Sequence, residues 1–148
     1  MIVVRFAEVA QLEQCTGLDI YGRLPVSALT RATDYAAYLV FGVADKGHRG
    51  LSFPDQETTV AAGGRAASRH AVCLLPDNDE ACKFRGVVRA EGVGRRPARR
   101  EDGWSEMEMG RLRVAAKEAE EEVVVSFEVL GWQPKRGLVV EAVEFRPL

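Results

Sequence analysis

Glu122-Val123-Val124-Val125-Ser126-Phe127-Glu128-Val129-Leu130 decides the fold class. Val123, Val125, Phe127 and Val129 alternate with Val124, Ser126, Glu128 and Leu130. Successive side chains on a strand point to opposite faces, so this order gives a strand with one firmly buried face. Downstream, Gly131 to Gly137 reads as a loop carrying Trp132, Lys135 and Arg136. Leu138 to Phe145 then reads as a final strand, apolar on both faces in its middle.

Working back towards the N-terminus gives more of the same. Tyr35-Ala36-Ala37-Tyr38-Leu39-Val40-Phe41-Gly42-Val43-Ala44 is an unbroken apolar run. A buried helix would also suit it, with Thr33-Asp34 as its cap, but aromatic and β-branched content favours a strand covered on both sides. Thr58-Thr59-Val60-Ala61 and His70-Ala71-Val72-Cys73-Leu74-Leu75 flank Gly63-Gly64, a hairpin or tight connection. Leu18-Asp19-Ile20-Tyr21-Gly22 alternates, and so does Trp104 to Met109. Helical character is expected only near Phe6–Gln14, where Phe6, Val9 and Ala10 form a short stripe closed by Thr16-Gly17, and in one or two turns of Arg111–Glu122. Glu91 to Gly103 holds Arg95, Arg96, Arg99 and Arg100 among glycines and Pro97, without apolar periodicity, and is expected as a long surface loop. Many short strands joined by Gly/Pro turns specify an all-β sandwich or barrel.

The chain has 148 residues, one domain's worth, with no internal repeat. A domain of this size buries roughly 70% of its unfolded surface, enough to be stable without disulfides or metal. Apolar residues at 47% and charged residues at 28% exclude a disordered chain. Twenty basic against 22 acidic residues leave a net charge of −2, no general attraction to nucleic acid or anionic lipid. No apolar run approaches the ~20 residues of a membrane span, and Met1-Ile2-Val3-Val4-Arg5 is too short for a signal-peptide core. Cys15, Cys73 and Cys82 are odd in number and widely spaced, and Asn78 heads no glycosylation acceptor. A reducing, intracellular compartment is the simplest expectation.

Enzyme motifs are not apparent. Gly103-Trp104-Ser105-Glu106-Met107 lacks the last glycine of a nucleophile elbow, and Gly92-Val93-Gly94 meets Pro97 where a dinucleotide fingerprint needs glycine. His70 and Cys73, three apart, would point to opposite faces of a strand, so burial is preferred over metal ligation with Cys82. Glu106 and Glu108 share one strand face about 7 Å apart, within the range of two glycosidase carboxylates. A solvated strand face is the preferred account of the pair, with ligand binding next. Trp104 lies on the same stripe, and an indole beside carboxylates suits a sugar, whose C–H face covers the ring while its hydroxyls donate to the oxygens. Edge packing on the sandwich core is the preferred account of Trp104 and of Trp132, with ligand contact next. The arginine cluster suits a solvated loop better than a nuclear-import signal or a phosphate contact.

Arg5-Phe6-Ala7-Glu8-Val9-Ala10, Leu18-Asp19-Ile20-Tyr21-Gly22 and Thr33-Asp34-Tyr35-Ala36-Ala37-Tyr38-Leu39-Val40-Phe41 resemble segments of plant phloem protein 2. Asp102-Gly103-Trp104-Ser105-Glu106-Met107-Glu108-Met109-Gly110 and Gly137-Leu138-Val139-Val140-Glu141-Ala142-Val143-Glu144-Phe145-Arg146-Pro147 extend the resemblance, in the family's order, over most of the chain. It is nearest to F-box proteins that carry this domain at their C-terminus and to the tobacco-agglutinin type of lectin. The resemblance implies a jelly-roll-like β-sandwich with a short N-terminal helix, spanning 1–148 as one lectin domain. It further implies binding of N-acetylglucosamine oligomers or N-glycan cores, in cytosol and nucleus. In the F-box members the domain would recruit glycoprotein substrates to a ubiquitin ligase. The family's opening strand with its tryptophan motif, and an F-box, have no counterpart in these residues.

The expectation is therefore a non-enzymatic lectin module without cofactor or metal, its candidate sugar contacts being Trp104, Glu106, Glu108, Trp132 and Glu141. The alternative is a protein-interaction module of the same fold that has lost sugar binding; a glycosidase is a distant third. A sandwich without its opening strand would leave an open edge. Ile2-Val3-Val4 would cover only about 10–13 Å of it, so a homodimer is expected.

Overall fold

The computed structural model describes residues 2–11, 17–44, 48–52, 56–63, 65–76, 95–114, 121–129 and 134–148. Among them run the strands β1 (Ile2–Gln11), β2 (Leu18–Pro25), β3 (Asp34–Val43), β4 (Gln56–Ala62), β5 (Arg65–Val72), β6 (Ala98–Arg99), β7 (Ser105–Arg113), β8 (Glu122–Val129) and β9 (Leu138–Pro147). They form two sheets, β1-β9-β3-β7-β6 and β2-β8-β4-β5, with antiparallel pairing throughout. The chain changes sheet between β1 and β2, β2 and β3, β3 and β4, and β5 and β6, and again on either side of β8. No helix among the described residues is long and apolar enough to cross a membrane.

The period-two rows named in the sequence build the core between the sheets. Leu39, Phe41, Met107, Met109, Val143 and Phe145 of the first sheet meet Val60, Val123, Val125 and Phe127 of the second, all fully buried. The outer side of β3 is also covered, because Ala36 and Val40 expose nothing. That accounts for the unbroken apolar run there, as expected of a strand buried on both faces. β4 and β5 pair as the expected hairpin, with Ala62 opposite Arg65, while Gly64 lies outside the described residues.

At one point the layers come close enough to demand glycine. The β3–β7 register slips between Ala37↔Gly110 and Tyr38↔Glu108, a bulge at Met109. The buried Thr58 hydroxyl donates to the Met109 carbonyl at 2.7 Å, tying the second sheet to the bulge. A Cβ on Gly110 would run into the Ser68 hydroxyl and reach Val60 Cγ2 at 2.8 Å.

The expected N-terminal helix is a strand instead. Ile2, Val3, Val4 and Arg5 pair with Phe145, Glu144, Val143 and Ala142, and Ala10 and Gln11 resume on Val140 and Val139. The irregularity between Arg5 and Ala10 explains the misreading. Extra residues there break the alternation, and what remains mimics helical spacing. The same strand occupies the edge of β9 from Val139 to Phe145 within one chain, and β1 itself becomes the outer strand of the sheet.

Two other segments differ. Arg111–Arg113 extends β7, and residues 115–120 lie outside the described ones. The 91–103 stretch lies at the surface where it is described, as expected, but is held there by backbone pairing. Arg95 bridges to Val72, Ala98 and Arg99 pair with Glu106 and Ser105, and Arg100 donates its N–H to the Trp104 carbonyl at 2.8 Å. Residues 91–94 lie outside the described ones.

Candidate functional site

β7 turns Met107 and Met109 into the core and Glu106 and Glu108 to the outer side of the first sheet, as the alternation requires. Trp104, half-buried just before β7, lies on that outer side over Gly42 of β3. A Cβ on Gly42 would meet Trp104 Cζ3 at 3.1 Å, so the indole rests on a backbone that only glycine leaves bare. Beside the ring opens a cleft of about 460 Å³, its walls including Trp104, Gly42, Asp102, Arg99, Ser105 and Val139. Ligand pockets commonly fall in the range of about 300–1,000 Å³.

The turn that delivers Trp104 is held by its own hydrogen bonds. Asp102 Oδ1 accepts the Trp104 N–H at 3.1 Å, and Gly103 N–H donates to the Arg100 carbonyl at 3.3 Å. Gly103 has φ of +89°, a conformation that glycine adopts without strain. Asp102 Oδ2 lies 3.0 Å from Arg100 Nη2, and Arg100 Nη1 donates to Glu144 Oε1 at 3.0 Å. A continuous chain of contacts thus runs from Glu144 in β9 through Arg100 and Asp102 to the Trp104 backbone.

Glu106 and Glu108 lie together on the face, as expected from their spacing, but arginines engage them both. Arg146 donates to Glu106 Oε1 at 3.1 Å and also bonds its other oxygen, while Arg111 donates to Glu108 at 2.6 Å. Arg95 approaches Glu108 at 3.3 Å. Glu144, 3% exposed, accepts from Arg146 as well, and the Arg146 guanidinium lies 4.2 Å above the Tyr38 ring. Burial pushes the Glu144 carboxyl up, but the hydrogen bonds from Arg146 and Arg100 outweigh it and hold the group below the ordinary carboxylate value. The bond to Glu106, ahead of the cost of burial and the bond to Glu144, raises Arg146 further above its ordinary value. This face is therefore a lattice of alternating charges.

The other candidates lie apart. Glu141 sits, half-buried, where β9 slips against both neighbours, between Ala142↔Val40 and Val140↔Phe41 and between Ala142↔Arg5 and Val140↔Ala10. It does not line the Trp104 cleft. Trp132, Cys15 and Cys82 lie outside the described residues. Cys73 is buried, with its thiol 3.5 Å from the Ser52 carbonyl, and His70 is half-buried on β5. Sequence reading missed Gly42, Asp102, Arg100, Glu144 and Arg146. Only Gly42 carried a signal, as a glycine inside a strand pattern marks close approach of another group.

Comparison with known proteins adds a family. The family model described as phloem protein 2 matches residues 3–147. F-box protein VBF of Arabidopsis thaliana is 32% identical over 97% of this chain and 56% of its own length. F-box protein PP2-B13 of the same plant is 31% identical, with the same coverage, and F-box protein PP2-B15 is 32% identical over 54% of its length. The chain spans about half the length of the curated relatives it matches.

Proposed function

Since the chain belongs to the phloem protein 2 family, we propose that it is a non-enzymatic carbohydrate-binding module, a lectin domain that takes N-acetylglucosamine oligomers or N-glycan cores at the Trp104 cleft. The observation that carries this reading is the Trp104 indole, seated on bare Gly42 backbone and flanking an open cleft of about 460 Å³. A flat, positioned ring is the platform that the C–H face of a pyranose needs, and binding costs less when the platform is already ordered. Ser105 lines the cleft beside it. Glu106 and Glu108 then act at one remove: their arginine partners knit the sheet that carries the platform. Glu141 and Trp132 remain candidates for an extended site.

The same reading takes the sandwich as a jelly roll, supported by the alternation of the chain between sheets through β1, β2, β3 and β4. It places the protein in cytoplasm or nucleus. The F-box relatives support a role in bringing glycoproteins to a ubiquitin ligase. They equally support the second reading, a protein-interaction module without sugar affinity, because the relatives' names carry an F-box and no sugar. Titration calorimetry with chitotriose and with an N-glycan core pentasaccharide separates the two. Saturable binding that Trp104→Ala weakens supports the lectin; absence of binding to either favours the interaction module.

A further inference from the structure

The charges around the cleft do not cancel evenly, and the imbalance specifies a ligand. Asp102 spends one oxygen on the Trp104 N–H and the other on Arg100. Glu144 is shared by Arg100 and Arg146, Glu106 is held by Arg146, and Glu108 by Arg111. Each of these carboxylates already has a guanidinium, so none offers an uncommitted negative charge to the cleft. Arg99 is the exception. It stands exposed on β6, opposite Ser105 in the ladder, and lines the cleft with Trp104. Among the described residues no acidic side chain pairs with it.

Resting on the lectin reading, we propose that the Trp104 cleft selects acidic saccharides: a sugar ring stacks on Trp104, and a carboxylate or sulfate on the neighbouring sugar meets the Arg99 guanidinium. The guanidinium presents its donors in a planar fork that matches such an anion, often with two parallel bonds. The paired carboxylates strengthen the preference. With their charge cancelled locally, they do not repel the anion, and through Arg100 and Asp102 they hold the ring beside which it must lie. A neutral oligosaccharide would use the ring and leave Arg99 in water.

The test compares two tetrasaccharides of equal length on the whole chain by titration calorimetry. One is chitotetraose; the other is a hyaluronan tetrasaccharide, in which N-acetylglucosamine alternates with glucuronate. At low salt the acidic oligomer is expected to bind about tenfold tighter, equivalent to about 1.4 kcal/mol. The advantage should shrink as salt screens the exposed pair. Arg99→Gln should close the gap between the ligands, whereas Arg23→Gln, which removes the same charge from β2 of the other sheet, should leave it open. Equal or tighter binding of chitotetraose, or a gap that survives Arg99→Gln, overturns the proposal and leaves the lectin reading intact. Binding of neither oligomer, or binding of both that ignores Trp104→Ala, overturns the lectin reading and this proposal with it.

Discussion

Replacing Arg100 with Met removes a guanidinium from a carboxylate that has almost no access to water. Glu144 has a side chain 4% exposed, and Arg100 contacts one of its oxygens at 3.0 Å. Breaking a fully buried ion pair by deleting one partner costs about 3–5 kcal/mol. Two features lower that figure. Arg146 still holds the other oxygen of Glu144, and the Arg100 side chain is itself 24% exposed. About half the full cost, roughly 2 kcal/mol, is the expected loss. In a domain near this size each kcal/mol moves Tm by about 2–4 °C, so Arg100→Met should melt about 4–8 °C lower at neutral pH. The pH dependence gives the sharper check. Because the folded Glu144 carboxyl titrates below its ordinary value of 4.5, its stabilisation is present above that value and is lost as pH falls through the folded one. The gap between wild type and variant should therefore narrow in acid. Calorimetric melts across that range, with Glu144→Gln and the double variant, close a cycle. A variant within about 1 °C of wild type, or a gap that does not change in acid, refutes the account of Arg100 as a buried anchor.

Gly110→Ala should destabilise by about 1–3 kcal/mol, because its Cβ meets Ser68 and Val60 where the sheets approach, and urea unfolding measures it. Trp104→Ala should weaken glycan binding by about 1 kcal/mol or more while keeping the strand signature in circular dichroism, since the ring lies outside the core. Burial, and then the neighbouring Arg95 charge, lower the His70 pKa below 6.5. His70 thus contributes stability that is present above 6.5 and lost as pH falls through the folded value; His70→Gln should flatten the melting profile in that window, and an unchanged profile would place His70 in open water.

Strand faces were legible in the sequence because one side of each sheet must leave water. Val123, Val125, Phe127 and Val129 announced β8, and Leu39 with Phe41 announced β3, without knowledge of any partner. β1 failed the same test because its irregularity against β9 spoils the period between Arg5 and Ala10. At the site, alternation correctly placed Trp104, Glu106 and Glu108 on one side. It said nothing of what they meet there. Glu106 and Arg146 are 40 residues apart, and Arg100 and Glu144 are 44 apart. Such pairs exist only through the pairing of β7, β3 and β9, and the Arg95–Arg100 stretch read from composition alone looked like solvated loop.

The claim that this is a lectin whose sugar lies on Trp104 is tested most directly by where a sugar perturbs the backbone. In an amide proton–nitrogen correlation spectrum titrated with chitotetraose, the account predicts shifts at Gly42, Gly103 and Ser105 and at one indole N–H, which Trp104→Phe removes. Shifts confined to the outer face of the other sheet, around Tyr21 and Glu128, or none at saturating sugar, would contradict it.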